Sequence, residues 1–418
     1  MLYSEKNSER RRKKRAFSPC MRNRTGLQKW TFFRLRAVEL VSEGEFLMII
    51  RFEPEGTHRA FTRMLRELAA CEEVRSLLAL SCEKNGFAPE LVDGTLRSCP
   101  KPVFGGVFPG VVFGGAHYSR GTVMVGLSSP VRVVGVRNID AEEAGYEETL
   151  EREAVFAGGP RSMCFVFVDG MSRRVSAFTE ALFNAFGPSL NYVGGGAGAL
   201  SGRKPCLFTP DGLIEDGAVV VFTDIPGGVG AAHGWSPVSV PIKVTGSRLN
   251  VIDTLDWEPA FEVYRRVVEP HSARSFGSEK FFDLAKAYPL GIGRLEAEYV
   301  VRDPLMNLGG SLVCVGEVPE GSFVSVLHGD ADSLLKGAVR AKEIARESFP
   351  PDATPRALFL ADCVSRALFL EDDFTRELAA LAGPSPVFGA LTIGEIANNG
   401  REYLEFFNKT AAVAILGE

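Results

Sequence analysis

At 418 residues, with 45% hydrophobic and 24% charged side chains, the chain has the composition of a globular protein and the length of two or three domains. Residues 1–29 hold 10 of the 47 Lys/Arg and 2 of the 52 Asp/Glu, which leaves the rest acidic at 37 against 50 and excludes a basic, nucleic-acid-binding face on the folded body. The eight cysteines are never closer than 11 residues and the five histidines are scattered, so no zinc-type ligand spacing occurs, and no cofactor is implied.

In chain order, RRRKKR (residues 10–15) is a charge run of the kind that serves as a tail for nucleic acid or anionic lipid. Residues 1–29 are read as a leader outside the fold, and no apolar stretch of secretory-signal length follows them. Residues 57–74 carry helical spacing with Thr57 as N-cap. Three similar segments then organise the chain: LLALSCEKNG to KPVFGG (77–106), MCFVFVDGMSRR to NYVGGGAG (163–198) and ALFLADCVSR to SPVFGALTIGE (357–395). Each reads as strand, polar turn, helix-length spacer and a second strand ending in a glycine-rich turn. The distance from polar turn to glycine is nearly constant: Cys82 to Gly105, Asp169 to Gly194 and Cys363 to Gly389 are 23, 25 and 26 residues. This spacing predicts a repeated β-turn-α-β unit that must stack on its siblings.

Each unit is expected to close with a hairpin: VVFGGAHYSRGTVMVGL around Ser119-Arg120-Gly121, PCLFTPDGLIEDGAVVVF, and REYLEFFNKTAAVAIL. Between the second and third units, residues 231–247 read as two short strands broken by prolines, and Asp256 as the cap of a helix with Pro259 in its first turn. Residues 332–348 form an amphipathic helix. The fold class is therefore α/β: mixed β-sheets with packed helices, in two adjacent modules over residues 30–250 and 251–418. The glycine-rich apolar stretch at 103–116 is too short and too broken to cross a bilayer. Cys164 and Cys314, inside apolar runs, read as buried thiols of a reducing cytoplasm.

Three places carry chemistry. In VGGGAGALSGRK (193–204), Gly194, Gly196 and Ala199 fit G-x-G-x-x-A after a strand, but Ser-Gly-Arg-Lys-Pro and another strand follow where a nucleotide site needs a helix N-terminus. Gly194, Gly195 and Gly196, with Gly389 and Gly394 in the third unit, are instead read as backbone turns packed close to a ligand or a neighbouring strand. In DCVSR, Asp362 and Cys363 end a strand and Arg366 follows one turn later; DGMSR (Asp169, Arg173) is the matching place in the second unit. An arginine there offers a planar fork to a carboxylate, or an internal ion pair with Asp362 pins the turn.

Arg302 and Asp303 in VVRDP present the same chemistry from another strand, with Asp303 held extended by Pro304. Glu395, alone among Ile and Ala, needs a partner. Were these groups to converge, the arginines would take a carboxylate and Glu395 an ammonium, with Asn408 and Thr410 adding amide and hydroxyl contacts. A structural salt bridge between Glu395 and one of the arginines is the alternative. Cys363 could act as a nucleophile favoured by a helix N-terminus and Arg366, but no base can be named beside it. His233, glycine-flanked, reads as a satisfied core residue.

The segments LDWEPAFEVY (255–264), YPLGIG, VVRDP, VPEGS, DCVSR, FGALTIGEIA (388–397) and FNKT (407–410) occur in the order seen in the FIST sensory-domain family, which the chain resembles over its last 160 residues or so. The resemblance through the VDG and GGGAG segments is looser. It implies a non-catalytic cytoplasmic sensor that binds small ligands, with amino acids the leading suggestion, and acts on a signalling partner protein. Two other functions stay open on the residues alone: a hydrolase or transferase using Cys363, and a protein-interaction scaffold.

Overall fold

Each apolar run in the three similar segments is long enough for one strand, and the spacer between the two runs of a pair holds one or two short helices, so the second strand returns parallel to the first. In the first, Ser76–Cys82 and Val103–Phe108 pair in parallel across the Pro89–Arg97 helix. In the second, Ser162–Asp169 and Asn191–Ala197 flank the Val175–Phe186 helix. In the third, Pro355–Cys363 and Val387–Thr392 flank the helices Val364–Leu370 and Phe374–Leu381. A later strand then lies antiparallel on the free side of each first strand: Thr122–Leu127, Gly217–Ala232 and Ala411–Gly417. The structure, a computed structural model, describes residues 38–40, 48–141, 145–154, 162–293, 298–398 and 403–418. The expected basic leader, residues 1–29, lies outside the described residues.

The glycines at the fixed spacing have a shared physical reason. Gly105, Gly194 and Gly389 face Ala79, Val166 and Leu360 in the parallel neighbour, and a Cβ on them would stand 2.1, 1.9 and 1.9 Å from those residues' carbonyl oxygens. Only glycine allows that approach. These positions correct the expected turns: Gly194, Gly195, Gly196 and Gly389 lie inside strands, and Gly394 alone sits in a bend, at φ +80. The registers also separate two aspartates expected to match. Asp169 lies three residues beyond Val166 and Asp362 two beyond Leu360, so in a strand of period two they leave by opposite faces.

A seven-stranded sheet carries the first unit, and an eleven-stranded sheet carries the second and third. Gly217–Ala232 joins the latter two: its first half pairs with Ser162–Asp169 and Val131–Arg137, its second with Ala411–Gly417. Helix Ala331–Ser348 packs directly on that second half. A Cβ on Gly228 or Gly230 would come within 2.1 or 2.2 Å of the carbonyl of Ala345 or Ala341. The two sheets enclose a phenylalanine-rich core in which the Phe104–Phe165, Phe165–Phe359 and Phe359–Phe388 ring centres are 6.0, 5.7 and 5.6 Å apart. A third sheet closes on itself through Leu290–Ile292 and Phe323–His328 into a small barrel with its own apolar interior.

Three local expectations change. The first hairpin turns at Gly114-Gly115, between Gly110–Phe113 and Ala116–Tyr118, because Thr122–Leu127 is already paired on both edges. The strands Glu405–Phe407 and Ala411–Gly417 do not pair with each other; they belong to different neighbours. Asp256 does not cap the Ala260–Ser272 helix: at φ +46 its Oδ1 accepts from the Lys243 N–H at 3.1 Å, and Pro259 holds the N-cap position. Thr57 does cap its helix, accepting from the Ala60 N–H at 3.2 Å, and Asp330 and Ser333 form a capping box on Ala331–Ser348.

The cost of adding a methyl group at these glycines should follow the space around them. Gly194→Ala and Gly389→Ala should each destabilise the fold by about 3 kcal/mol or more in urea unfolding. Gly135→Ala, whose nearest new neighbour would be 3.9 Å away, should change stability by less than about 1 kcal/mol. Equal effects at all three positions would contradict the close-approach explanation.

Candidate functional site

Parallel strands expose their carboxyl ends where the chain must turn into a helix, and such ends are where open α/β sheets gather functional groups. In the third unit these ends meet the barrel strand Val300–Leu308 and the turn that precedes Ala411–Gly417. The result is a knot of buried charge. Asp362, Arg366, Glu377, Glu395 and Lys409 are all 0% exposed, and Asp303, Asn408 and Thr410 are 1% exposed. Groups of this kind are costly to bury unless each is paired, so their partners define the site.

Arg366 is at the centre, and its donors are spent on the protein. Nη1 donates to the carbonyls of His233 at 2.7 Å and Lys409 at 3.4 Å; Nη2 donates to the carbonyl of Leu334 at 3.0 Å and to Glu377 Oε2 at 2.5 Å. Nε faces Asp362 Oδ1 at 3.1 Å as an ion pair one helical turn apart. This is the pin that DCVSR allowed, enlarged by a second acid. Two carboxylates share one guanidinium here, and Asp362 Oδ1, Asp362 Oδ2 and Glu377 Oε1 meet no hydrogen-bond donor among the described residues. Burial, then the Glu377 charge, pushes the Asp362 carboxyl well above the usual carboxylate range, against the pull of the Arg366 guanidinium.

Arg302 is likewise turned onto backbone. Its Nε donates to the Glu317 carbonyl at 2.8 Å, and Nη1 to Val301 at 3.1 Å and Phe406 at 2.8 Å. Asp303 Oδ2 accepts from the Ser365 hydroxyl at 2.6 Å, and its Oδ1 pairs with Lys409 Nζ at 3.3 Å. Lys409 takes a left-handed backbone, φ +50. Its ammonium donates to the Lys286 carbonyl at 2.8 Å and stands 5.4 Å from the centre of the Trp235 ring, while its own carbonyl accepts from Trp235 Nε1 at 3.0 Å.

Glu395 differs from the other three acids. Oε1 accepts from the Thr392 hydroxyl at 2.7 Å and Oε2 from the Thr410 N–H at 3.2 Å, and among the described residues it has no ion pair. Burial pushes its carboxyl up to about 8, against the opposing pull of hydrogen bonds from Thr392, Thr410 and Cys363 and the more distant Arg366 charge. Asn408 Oδ1 takes the Asp303 N–H at 3.4 Å, and its carbonyl takes the Thr410 hydroxyl at 2.8 Å, which fixes the FNKT turn. Cys363 is buried, and burial followed by the nearby Glu395 charge raises its thiol far above the ordinary range, so it stays protonated beside the carboxyl. His233 Nδ1 accepts from the Trp235 N–H at 2.9 Å, and burial lowers its imidazole to about 4.

The expected convergence is therefore partial. Arg302, Asp303, Asp362, Cys363, Arg366, Glu395, Asn408 and Thr410 belong to one buried cluster, but both guanidiniums are turned onto protein groups. Gly195 and Gly196 pack on it: a Cβ on Gly195 would come 2.9 Å from Thr392 Cγ2, and one on Gly196 would come 2.1 Å from the Ile393 carbonyl. Glu377 and Lys409 complete the charge pairing and were not anticipated. In the second unit Asp169 pairs with Arg203 Nε at 3.0 Å, not with Arg173, and Arg203 also reaches Asp140 and Asp216 at 2.9 and 3.2 Å.

Removing the hub should show its structural weight. Arg366→Ala leaves buried acids unpaired and should cost about 3–5 kcal/mol in urea unfolding, with Arg366→Lys recovering only part because an ammonium cannot span five acceptors. A loss below about 1 kcal/mol would contradict its role as hub.

The described residues contain no helix long and apolar enough to cross a membrane. None of the curated proteins matches the chain. Among solved structures, a crystal structure of chorismatase aligns at TM-score 0.33 with 14% identity, covering 88% of this chain and 98% of that one. The FIST N domain matches residues 76–258 and the FIST C domain residues 260–398, one residue apart. The chain belongs to the FIST family, whose members are small-ligand sensory domains in signalling.

Proposed function

We propose that this chain is a non-catalytic sensor that receives the amino group of a small metabolite, an amino acid being the class that fits, at Glu395. Glu395 is the observation that carries the reading. Of the four acids in the knot, Asp362 and Glu377 answer Arg366 and Asp303 answers Lys409, whereas Glu395 meets two neutral donors and a thiol among the described residues. Thr392, Thr410 and Asn408 supply the neutral polar contacts around it, and Arg302 and Arg366 act as positioning residues that hold the walls. The bound state would be passed to a signalling partner protein. The described cysteines are all free, which agrees with a cytoplasmic setting.

A buried acid without a cation costs stability when it ionises. The Glu395 carboxyl is raised from 4.5 to about 8, so the folded state binds more protons than the unfolded state between those values, and stability falls as pH rises through that window. A residue kept at that cost is a candidate for function and not for structure.

Glu395→Gln, which mimics the protonated acid, should therefore stabilise the protein by roughly a few kcal/mol at pH 8 and hardly at all at pH 4. In calorimetric titrations against the twenty common L-amino acids at pH 8, the wild type should bind at least one. The same variant should weaken that binding tenfold or more, since a charge-assisted contact contributes about 1.5–3 kcal/mol. A variant that is destabilised equally at every pH and binds unchanged would show Glu395 to be structural.

A further inference from the structure

Amine recognition at Glu395 has a consequence for its regulation. The carboxyl is completely buried and, among the described residues, receives the Thr392 hydroxyl, the Thr410 N–H and the Cys363 thiol. The charges that face it partly cancel. Asp362 and Asp303 lie on the acidic side, Arg366 and Lys409 on the basic side, and each cation is already paired with another acid. On its own sheet, Glu405 is two register steps away on the neighbouring strand, and Asn191–Ala197, which holds its other partner Gly195, carries no titratable side chain except Tyr192 at the far end. The donors that meet Glu395 are neutral and no cation pairs with it among the described residues, so burial outweighs what its hydrogen bonds and the Arg366 charge do for the ionised form.

We infer that amine binding at Glu395 is coupled to release of one proton, which makes this sensor pH-gated. The inference rests on the amine reading above. The step balances as a neutral carboxyl and an ammonium ion giving a carboxylate–ammonium pair, with the displaced proton passing to bulk water. Below the raised carboxyl range of about 8, each unit of acidification should then weaken amine affinity about tenfold, because the proton competes for the same oxygen pair. Above it the affinity should level off.

Infrared difference spectra in D2O, wild type minus Glu395→Gln, isolate the carboxyl band of Glu395 from those of the Asp362–Glu377 pair. At pH 7 the band of a protonated carboxyl should be present and should vanish on adding saturating methylammonium, chosen as the smallest amine probe that stays cationic. A thermal shift measured in parallel reports whether methylammonium binds. Binding with an unchanged band, or a band absent from the free protein, overturns the proton coupling while leaving amine recognition standing. No thermal shift and no change in the band overturns amine recognition and the coupling together.

Discussion

The buried guanidinium of Arg366 is the constraint on which the rest of the site depends. A planar fork with five donors, placed where water cannot reach, forces five acceptors to assemble around it. Those acceptors come from the end of the strand that precedes its helix, the second helix of its unit, the first turn of Ala331–Ser348, and the loops at His233 and Lys409. The Lys409 carbonyl is held by this fork and by Trp235, and the lysine side chain is thereby aimed at Asp303 on the barrel strand. One residue thus sets the separation between the large sheet and the barrel at the place where ligand contacts are proposed. Buried hydrogen bonds and ion pairs this numerous favour one arrangement of the segments they join, which is the property a recognition site needs.

The scaffold beneath the knot is built for close approach. Gly228 and Gly230 in the long shared strand let the Ala338, Ala341 and Ala345 face of one helix lie directly on the sheet. The parallel pairs close on glycines 105, 194 and 389. Backbones packed this tightly have little freedom to accommodate a misfit, so the buried acids stay where the strands place them even where that costs stability. Glu395 is the clearest case: the FGALTIG segment carries it into an apolar and polar-neutral surround, and its raised proton affinity is the physical result.

Much of the scaffold was legible in the sequence because strand pairing and helix spacing are local, periodic signals. The three parallel units, the Thr57 cap and the 331–348 helix follow from such patterns, and the family motifs pointed to the C-terminal strand ends. The role of the glycines was less legible: a glycine after an apolar run looks like a turn, and only the carbonyl of Val166 or Leu360 opposite shows why it sits within a strand. Glu377 gave no signal, since an acid in FTRELAAL is indistinguishable from the solvated face of an amphipathic helix until Arg366 is placed beside it. Lys409 stood between two flagged residues, Asn408 and Thr410, yet a lysine is so seldom buried that its sequence gives no reason to place it over a tryptophan. Sequence also could not show that Arg302 and Arg366 are consumed by carbonyls and acids far along the chain.

The account turns on Glu395 being a buried acid that holds its proton near neutrality. Carbon-13 NMR titration of the glutamate side-chain carboxyls measures that directly. The account predicts one carboxyl carbon that titrates at about 8 and is missing from the spectrum of Glu395→Gln. A set of glutamate carbons that have all completed titration below about pH 6 would contradict it.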